Sequence, residues 1–262
     1  MFSKLAIAAA IVGLVAAQDP PQGWMAYARA ECPAGTRLTK FTANWDVGAQ
    51  PQASEAFYSP WFGTDPADNL NLLQPVNPWL GNQWVIYTEN FNWSPESNYN
   101  SPQQPTSAGH TLLGEIKFNG EQAQTYLIKQ TDTTSGVSSQ QTRPVQKNWD
   151  GSYKNFTILY IVYEKVWPCQ YYPPDGKVTF KNIVVECNDA PFTPTWTTHH
   201  VDQNCDMEAH VESPTQVSIT WNTQSKNQPS EEKIAQSRKA RDAYFARQGG
   251  FAMPPAKTLR RD

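Results

Sequence analysis

Three polar residues interrupt strand faces that are otherwise apolar. Gln74 shares the alternation of Leu70, Leu72 and Val76, because side chains two residues apart leave the same face of a strand. Glu164 shares that of Phe156, Ile158, Tyr160 and Val162, and Glu89 that of Val85, Tyr87 and Phe91. A carboxyl among such neighbours is costly to ionise, so its pKa rises. Alternation does not say which face of a sheet these residues occupy. On periodicity alone, polar strand ends facing water are the commoner reading.

Other chemistry has weaker support. His199, His200 and His210 lie near Asp202 and Asp206, but their spacing defines no ligand geometry, so surface histidines explain them better than a metal site. No Gly-x-Ser-x-Gly elbow and no isolated reactive cysteine stands out. The sequence therefore calls for no metal and no cofactor.

The elements that must carry these residues read as strands. Apolar runs rich in Val, Ile, Tyr, Phe and Thr are separated by turn-forming clusters. They are Arg37–Trp45, Gln83–Phe91, Thr111–Phe118, Gln124–Lys129, Asn155–Glu164, Lys177–Phe180 and Gln216–Trp221. Gln130–Gln146 reads as a Ser/Thr/Gln-rich loop. Helical periodicity is nearly absent before Asn222. Many strands with proline-rich turns indicate an all-β, two-sheet antiparallel sandwich, whose inner faces would absorb much of the aromatic content of 10 Trp, 11 Tyr and 11 Phe.

The compartment follows from the N-terminus. Residues 1–17 read as a signal peptide, with Lys4, the apolar run Leu5–Val15 and small residues at a cleavage site before Gln18. That run is too short to span a bilayer comfortably, and no later stretch is apolar enough. Asn92-Trp-Ser94 and Asn155-Phe-Thr157 are N-glycosylation sequons. Cys32, Cys169, Cys187 and Cys205 are an even set in an oxidising setting, which points to two disulfides whose pairing the sequence leaves open. A secreted, extracellular protein is the expectation.

Charge divides the chain. Its formal net charge is −3, too balanced to leave a nucleic-acid footprint. Nine of the 21 basic residues but four of the 24 acidic ones follow Asn222, so residues 223–262 carry +5 and the remainder −8. Domain organisation is therefore a signal peptide (1–17), a sandwich (18–222) and a basic tail (223–262). Within the tail, residues 230–248 can form a helix capped by Ser230 and stopped by Gly249-Gly250. Composition favours a solvated, partly helical or disordered tail. The sharper alternative is a self-docking or partner-binding segment.

Several motifs, in order, resemble the glutamic peptidases, or eqolisins. Trp61-Phe-Gly-Thr-Asp65 is similar to the family's Trp-x-Gly-x-Asp segment, and Leu72-Leu-Gln-Pro-Val76 to its strand with the catalytic glutamine. Tyr87-Thr-Glu89 resembles the aromatic-x-Glu of its substrate cleft. Ser107-Ala-Gly-His110 is similar to its Ser-Ala-Gly-Asp turn, with histidine for aspartate. Ile161-Val-Tyr-Glu164 resembles the strand with the catalytic glutamate, and Cys169 falls where the family also has a cysteine. Val178-Thr-Phe-Lys-Asn182 and Val217-Ser-Ile-Thr-Trp221 resemble its closing strands. The match runs from about Phe41 to Trp221 and rests on order and spacing.

The resemblance implies a concanavalin-like sandwich and a secreted, monomeric acid endopeptidase acting on polypeptides. Glu164 would activate water and return a proton to the leaving amine, while Gln74 would donate to the oxyanion without ionising. Asp65 would orient Gln74, and Trp61, Tyr87 and Glu89 would line the cleft. The alternative is a non-catalytic extracellular binding protein on the same fold, taking carbohydrate or matrix through exposed Trp and Tyr. A structural wall or mucus component is a third, weaker reading.

Overall fold

The computed structural model describes residues 23–201 and 203–247. The expected signal peptide, Asp202 and the Gly249-Gly250 stop lie outside them. The described chain begins with β1 (Trp24–Glu31), β2 (Leu38–Asp46), β3 (Ser59–Pro66), β4 (Asn71–Val76), β5 (Trp84–Trp93), β6 (Glu96–Asn100), β7 (Gln104–Thr106) and β8 (Thr111–Phe118). It continues with β9 (Thr125–Asp132), β10 (Ser138–Pro144), β11 (Phe156–Glu164), β12 (Lys177–Cys187), β13 (Ala190–Phe192), β14 (Thr197–His200), β15 (Glu208–Ser213), β16 (Gln216–Thr220) and the helix α1 (Glu231–Arg247).

The strands form two sheets. One has the order β14-β1-β11-β3-β4-β5-β6, with β7 also on β5; the other has β10-β9-β8-β2-β12-β16-β15, with β13 beside β12. Every pairing is antiparallel. The result is an antiparallel two-sheet sandwich with one C-terminal helix. None of the described helices is long and apolar enough to cross a membrane.

Aromatic side chains fill the space between the layers. Phe62 of the first sheet meets Phe41 and Trp45 of the second, with ring centroids 4.4 and 5.9 Å apart. Tyr126 meets Phe156 at 5.0 Å, and Tyr163 meets Trp221 at 4.9 Å. Fully burying such a side chain contributes about 1.5–3 kcal/mol. Gly114 on β8 permits this approach, since a Cβ there would run into the Phe62 ring and come within 2.9 Å of Pro75.

One segment read as a loop is partly a strand. Ser138–Pro144 pairs with β9 as β10. Its inward contacts are polar: Ser139 Oγ lies 2.7 Å from Ser101 Oγ, and Gln141 Nε2 donates to the Thr88 carbonyl at 2.9 Å. A strand that binds the opposite sheet by hydrogen bonds carries no apolar alternation to read.

The four cysteines pair as Cys32–Cys187 and Cys169–Cys205. The first joins the end of β1 to the end of β12, and so one sheet to the other. The second ties the turn after β11 to the turn before β15. The root of α1 is fastened to this second bridge, because Cys205 N–H donates to the Asn227 carbonyl at 2.8 Å and Cys169 N–H to Gln228 Oε1 at 3.1 Å.

Candidate active site

The site lies on the face of the first sheet that points away from the second. Strand alternation puts Phe62 and Tyr163 inward, so Trp61, Val162 and Glu164 turn outward. Gln74 and Glu89 are direct partners across β4 and β5. They and Glu164 open into one cavity of about 330 Å³, also bordered by Tyr87, Trp24 and Lys165. The strands thus bring Gln74, Glu89 and Glu164 to the same cavity.

Contacts within the cavity are specific. Gln74 Nε2 donates to Glu89 Oε2 at 3.0 Å, and the Tyr87 hydroxyl lies 3.5 Å from the same oxygen. Asn98 Nδ2 donates to the other Glu89 oxygen. Gln74 Oε1 is buried without a hydrogen-bond partner among the described residues. Glu164 Oε1 is ion-paired with Lys165 Nζ at 2.6 Å, with side chains 15% and 22% exposed, which shields the pair substantially from water. Glu89 thus supplies an orienting contact on Gln74. Asp65, assigned that role by resemblance, is buried on β3 opposite Ile158.

Electrostatics separate these groups. Burial, then the nearby Glu164 charge, pushes Glu89 above the usual carboxylate range, against opposing pulls from Lys165, Asn98 and Arg247. Burial and the Glu89 charge push the Tyr87 phenol well up, so it remains a neutral donor.

Register fixes the spacing. Tyr160 pairs with Gly63, and the β3–β4 register sets Gly63 opposite Gln74. Tyr160, Gly63, Gln74 and Glu89 thus form one row across the sheet. Glu164 belongs to the row of Trp24 and Ser59, four residues further along β11. At about 3.4 Å per residue that offset is about 14 Å along the strand. Gln74 and Glu164 therefore stand in different rows of the sheet but border the same cavity.

Aromatics support it from beneath. Trp61 is fully buried and packs edge-on against Trp24 at 5.1 Å, while Tyr160 meets Trp24 at 4.9 Å. Trp24, which borders the cavity, was not singled out from the sequence. Its strand, Trp-Met-Ala-Tyr-Ala-Arg-Ala-Glu, is buried along most of both faces and shows no alternation. Lys165 had one available signal, its position directly after Glu164.

The roof is α1. Ala240, Ala243, Tyr244 and Arg247 border the same cavity as the two glutamates. The Tyr244 ring stacks on Phe57 at 4.7 Å and its hydroxyl accepts from Gln103 Nε2 at 2.5 Å. Ser230 caps the helix, its Oγ accepting from Lys233 N–H at 3.4 Å and its carbonyl from Ile234 N–H at 3.1 Å. The described part of the tail is therefore a docked helix, not a solvated segment.

The remaining sequence candidates lie elsewhere. In the Ser-Ala-Gly-His turn, His110 Nδ1 sits 2.7 Å from Asp132 Oδ2. Burial would raise Asp132, yet hydrogen bonds from His110, Thr106 and Ser135 hold it at about 2. His199 stacks on Tyr27 at 4.6 Å, and His210 Nε2 lies 3.0 Å from Thr220 Oγ1. The sequons differ. Asn155 is exposed, with its side-chain Oδ1 accepting from Arg37 Nε and Nη2. Asn92 is 2% exposed and its Nδ2 donates to Ser97 Oγ at 2.9 Å.

Solved structures share this architecture. Scytalido-glutamic peptidase with a peptide-based transition state analog superposes with a TM-score of 0.56 at 15% identity, over 76% of this chain and 98% of that one. The chain has the glutamic-peptidase fold. SCP-B, a member of the eqolisin family of peptidases solved with the tripeptide Ala-Ile-His, matches this fold at a TM-score of 0.53 and 14% identity, with 76% and 98% of the two chains covered. No protein-family model and no curated protein matches the sequence.

Proposed function

We propose that the chain is a secreted acid peptidase of the glutamic type, hydrolysing polypeptides in the cavity between Gln74, Glu89 and Glu164. The observation that carries this reading is the convergence of a neutral amide and two unlike carboxyls on one partly buried cavity. The fold neighbours, solved with peptide-based ligands, support it, and the two disulfides support an exported protein.

Carboxyls whose environments differ divide into acid and base. Glu164, ion-paired with Lys165, takes a proton from water as its oxygen attacks the scissile carbonyl. The Gln74 amide donates to the oxygen on which negative charge develops. Glu89, raised by burial, holds a proton further up the pH scale and delivers it to the nitrogen as the C–N bond breaks. The proton then on Glu164 passes through water to Glu89, restoring the site. No histidine is required.

The test is digestion of a denatured protein across pH 2 to 7 by the wild type, Glu164→Gln, Glu89→Gln and Gln74→Ala. Losing a general acid or base costs about 10²–10⁴-fold in rate, and losing an oxyanion donor about 10²–10³-fold in kcat. Full activity in the Glu164 and Gln74 variants refutes the mechanism.

A second reading, a non-catalytic binding protein, is favoured by the register. Gln74 shares its row with Tyr160, and Glu164 stands four residues away. Wild-type protein that binds denatured polypeptide and cleaves none at any pH establishes this reading.

A further inference from the structure

The cavity roof is part of the same chain, and it occupies space that an extended polypeptide would need. The remaining volume of about 330 Å³ is at the small end for a ligand pocket. We infer that α1 is a built-in plug of the polypeptide site, held shut by a two-arginine clasp on Glu55 and displaced when substrate binds. This rests on the reading of the cavity as a polypeptide site.

The clasp is separate from the site. Arg238 holds the Glu55 carboxylate through Nη2 at 2.6 Å and Nε at 3.0 Å. Arg241 Nη1 donates to the Glu55 carbonyl at 3.0 Å and to its carboxylate at 3.3 Å. Ser237 Oγ accepts from Val166 N–H at 3.0 Å, two residues beyond Glu164. Ile234, Ser237 and Tyr244 are the buried residues of the helix, at the three- and seven-residue spacing of a single face. Alanine at 240 and 243 keeps the cavity-facing surface small, so the backbone can lie close over the carboxyls.

Charge acts in the same direction. Arg247 borders the cavity with Glu89 and Glu164, and its charge favours the ionised form of Glu89. The plug thus presents a cation and a tyrosine ring to an acidic, aromatic cavity. The root of the helix stays attached through the Cys169–Cys205 bridge, so displacement swings α1 away without releasing it.

The experiment uses the full chain in a Glu164→Gln background, where no hydrolysis confuses binding. A fluorescein-labelled, reduced and alkylated polypeptide is titrated into the parent, into Glu55→Gln, and into Tyr244→Ala, which empties the plug and leaves the clasp intact. Hydrogen exchange over 231–247 reports whether the helix has lifted. The expected result is at least tenfold tighter polypeptide binding in both variants, with faster α1 exchange in Glu55→Gln. A synthetic peptide of residues 229–247 should compete with the labelled polypeptide for the Glu55→Gln protein. Unchanged affinity in both folded variants overturns the inference, as does α1 exchange that accelerates without any gain in binding. If binding tightens but the same substitutions in the Glu164-intact chain cleave nothing, the peptidase reading fails and the plug stands.

Discussion

Replacing Gln74 by glutamate tests the contact at the centre of the site. The substitution changes one atom group and places a second carboxyl where an amide donates to Glu89 at 3.0 Å. Two ionised carboxylates at that distance repel by about 5–6 kcal/mol at an effective dielectric of about 20. The alternative is for the pair to keep one proton. With a glutamate pKa of about 4.3 in the unfolded chain, holding that proton at pH 7 costs about 3.7 kcal/mol. Protonation is the cheaper route, and the partial exposure of Glu89 screens the competing repulsion, so we expect a destabilisation of about 2–4 kcal/mol at pH 7. In a domain of this size that lowers Tm by about 5–15 °C. The sign follows from linkage: the shared proton has a folded pKa above its unfolded value. The variant therefore keeps its stability below about pH 4 and loses it as pH rises through the folded value. Thermal melts of wild type, Gln74→Glu and Gln74→Met from pH 3.5 to 7.5 provide the assay. A Gln74→Glu deficit that does not vary with pH refutes the Gln74–Glu89 contact. Gln74→Met controls for shape.

Two further outcomes follow from other parts of the fold. The Cys32–Cys187 bridge spans 155 residues, for which chain entropy predicts about 5 kcal/mol, the upper end of what native disulfides contribute; urea unfolding of the paired serine variant should show a loss of 2–5 kcal/mol, and a loss below about 1 kcal/mol would contradict that bridge. Glu55 is held below its ordinary value chiefly by Arg238 hydrogen bonds, with Arg241 adding to them, so its contribution to α1 docking is complete above about pH 4.3 and fades as pH falls through the lowered value. Hydrogen exchange of α1 should accelerate in that acid window in the wild type and show no such step in Glu55→Gln.

Much of the sandwich was legible because its middle strands bury one or both faces with β-branched and aromatic residues. Thr111–Phe118 was read with the bounds that β8 has, and Asn155–Glu164 differs from β11 by one residue. β10 was missed because its inward side chains are Ser139 and Gln141, which bond across the layers instead of packing apolar surface. β1 was missed because alanine-rich burial on both faces leaves no alternation. Residue parity correctly grouped Gln74 and Glu89 with the apolar residues beside them, but it has no information on register. The four-residue offset between the rows of Gln74 and Glu164 is a property of strand pairing and is invisible along a single strand. α1 was foreseen as a helix from Ser230, and its docking only as the alternative to a solvated tail. It is held by arginines on one glutamate and by a tyrosine, without the broad apolar stripe that sequence periodicity detects.

The fastening of the α1 root to the Cys169–Cys205 bridge has a quantitative consequence for any substrate. A segment tethered beside its own binding site meets that site at an effective concentration on the order of millimolar. If the free helix bound the open cleft with a Kd of only about 10 μM, tethering would keep about 99% of molecules closed. The apparent affinity of an incoming polypeptide would then be about 100-fold weaker than its affinity for the open form. Cutting the chain between Gln228 and Ser230 would leave every contact of the helix in place and abolish this advantage, because a severed helix dilutes into bulk solution. A single backbone break would thus convert a self-occluded protein into one whose occupancy depends on its own concentration.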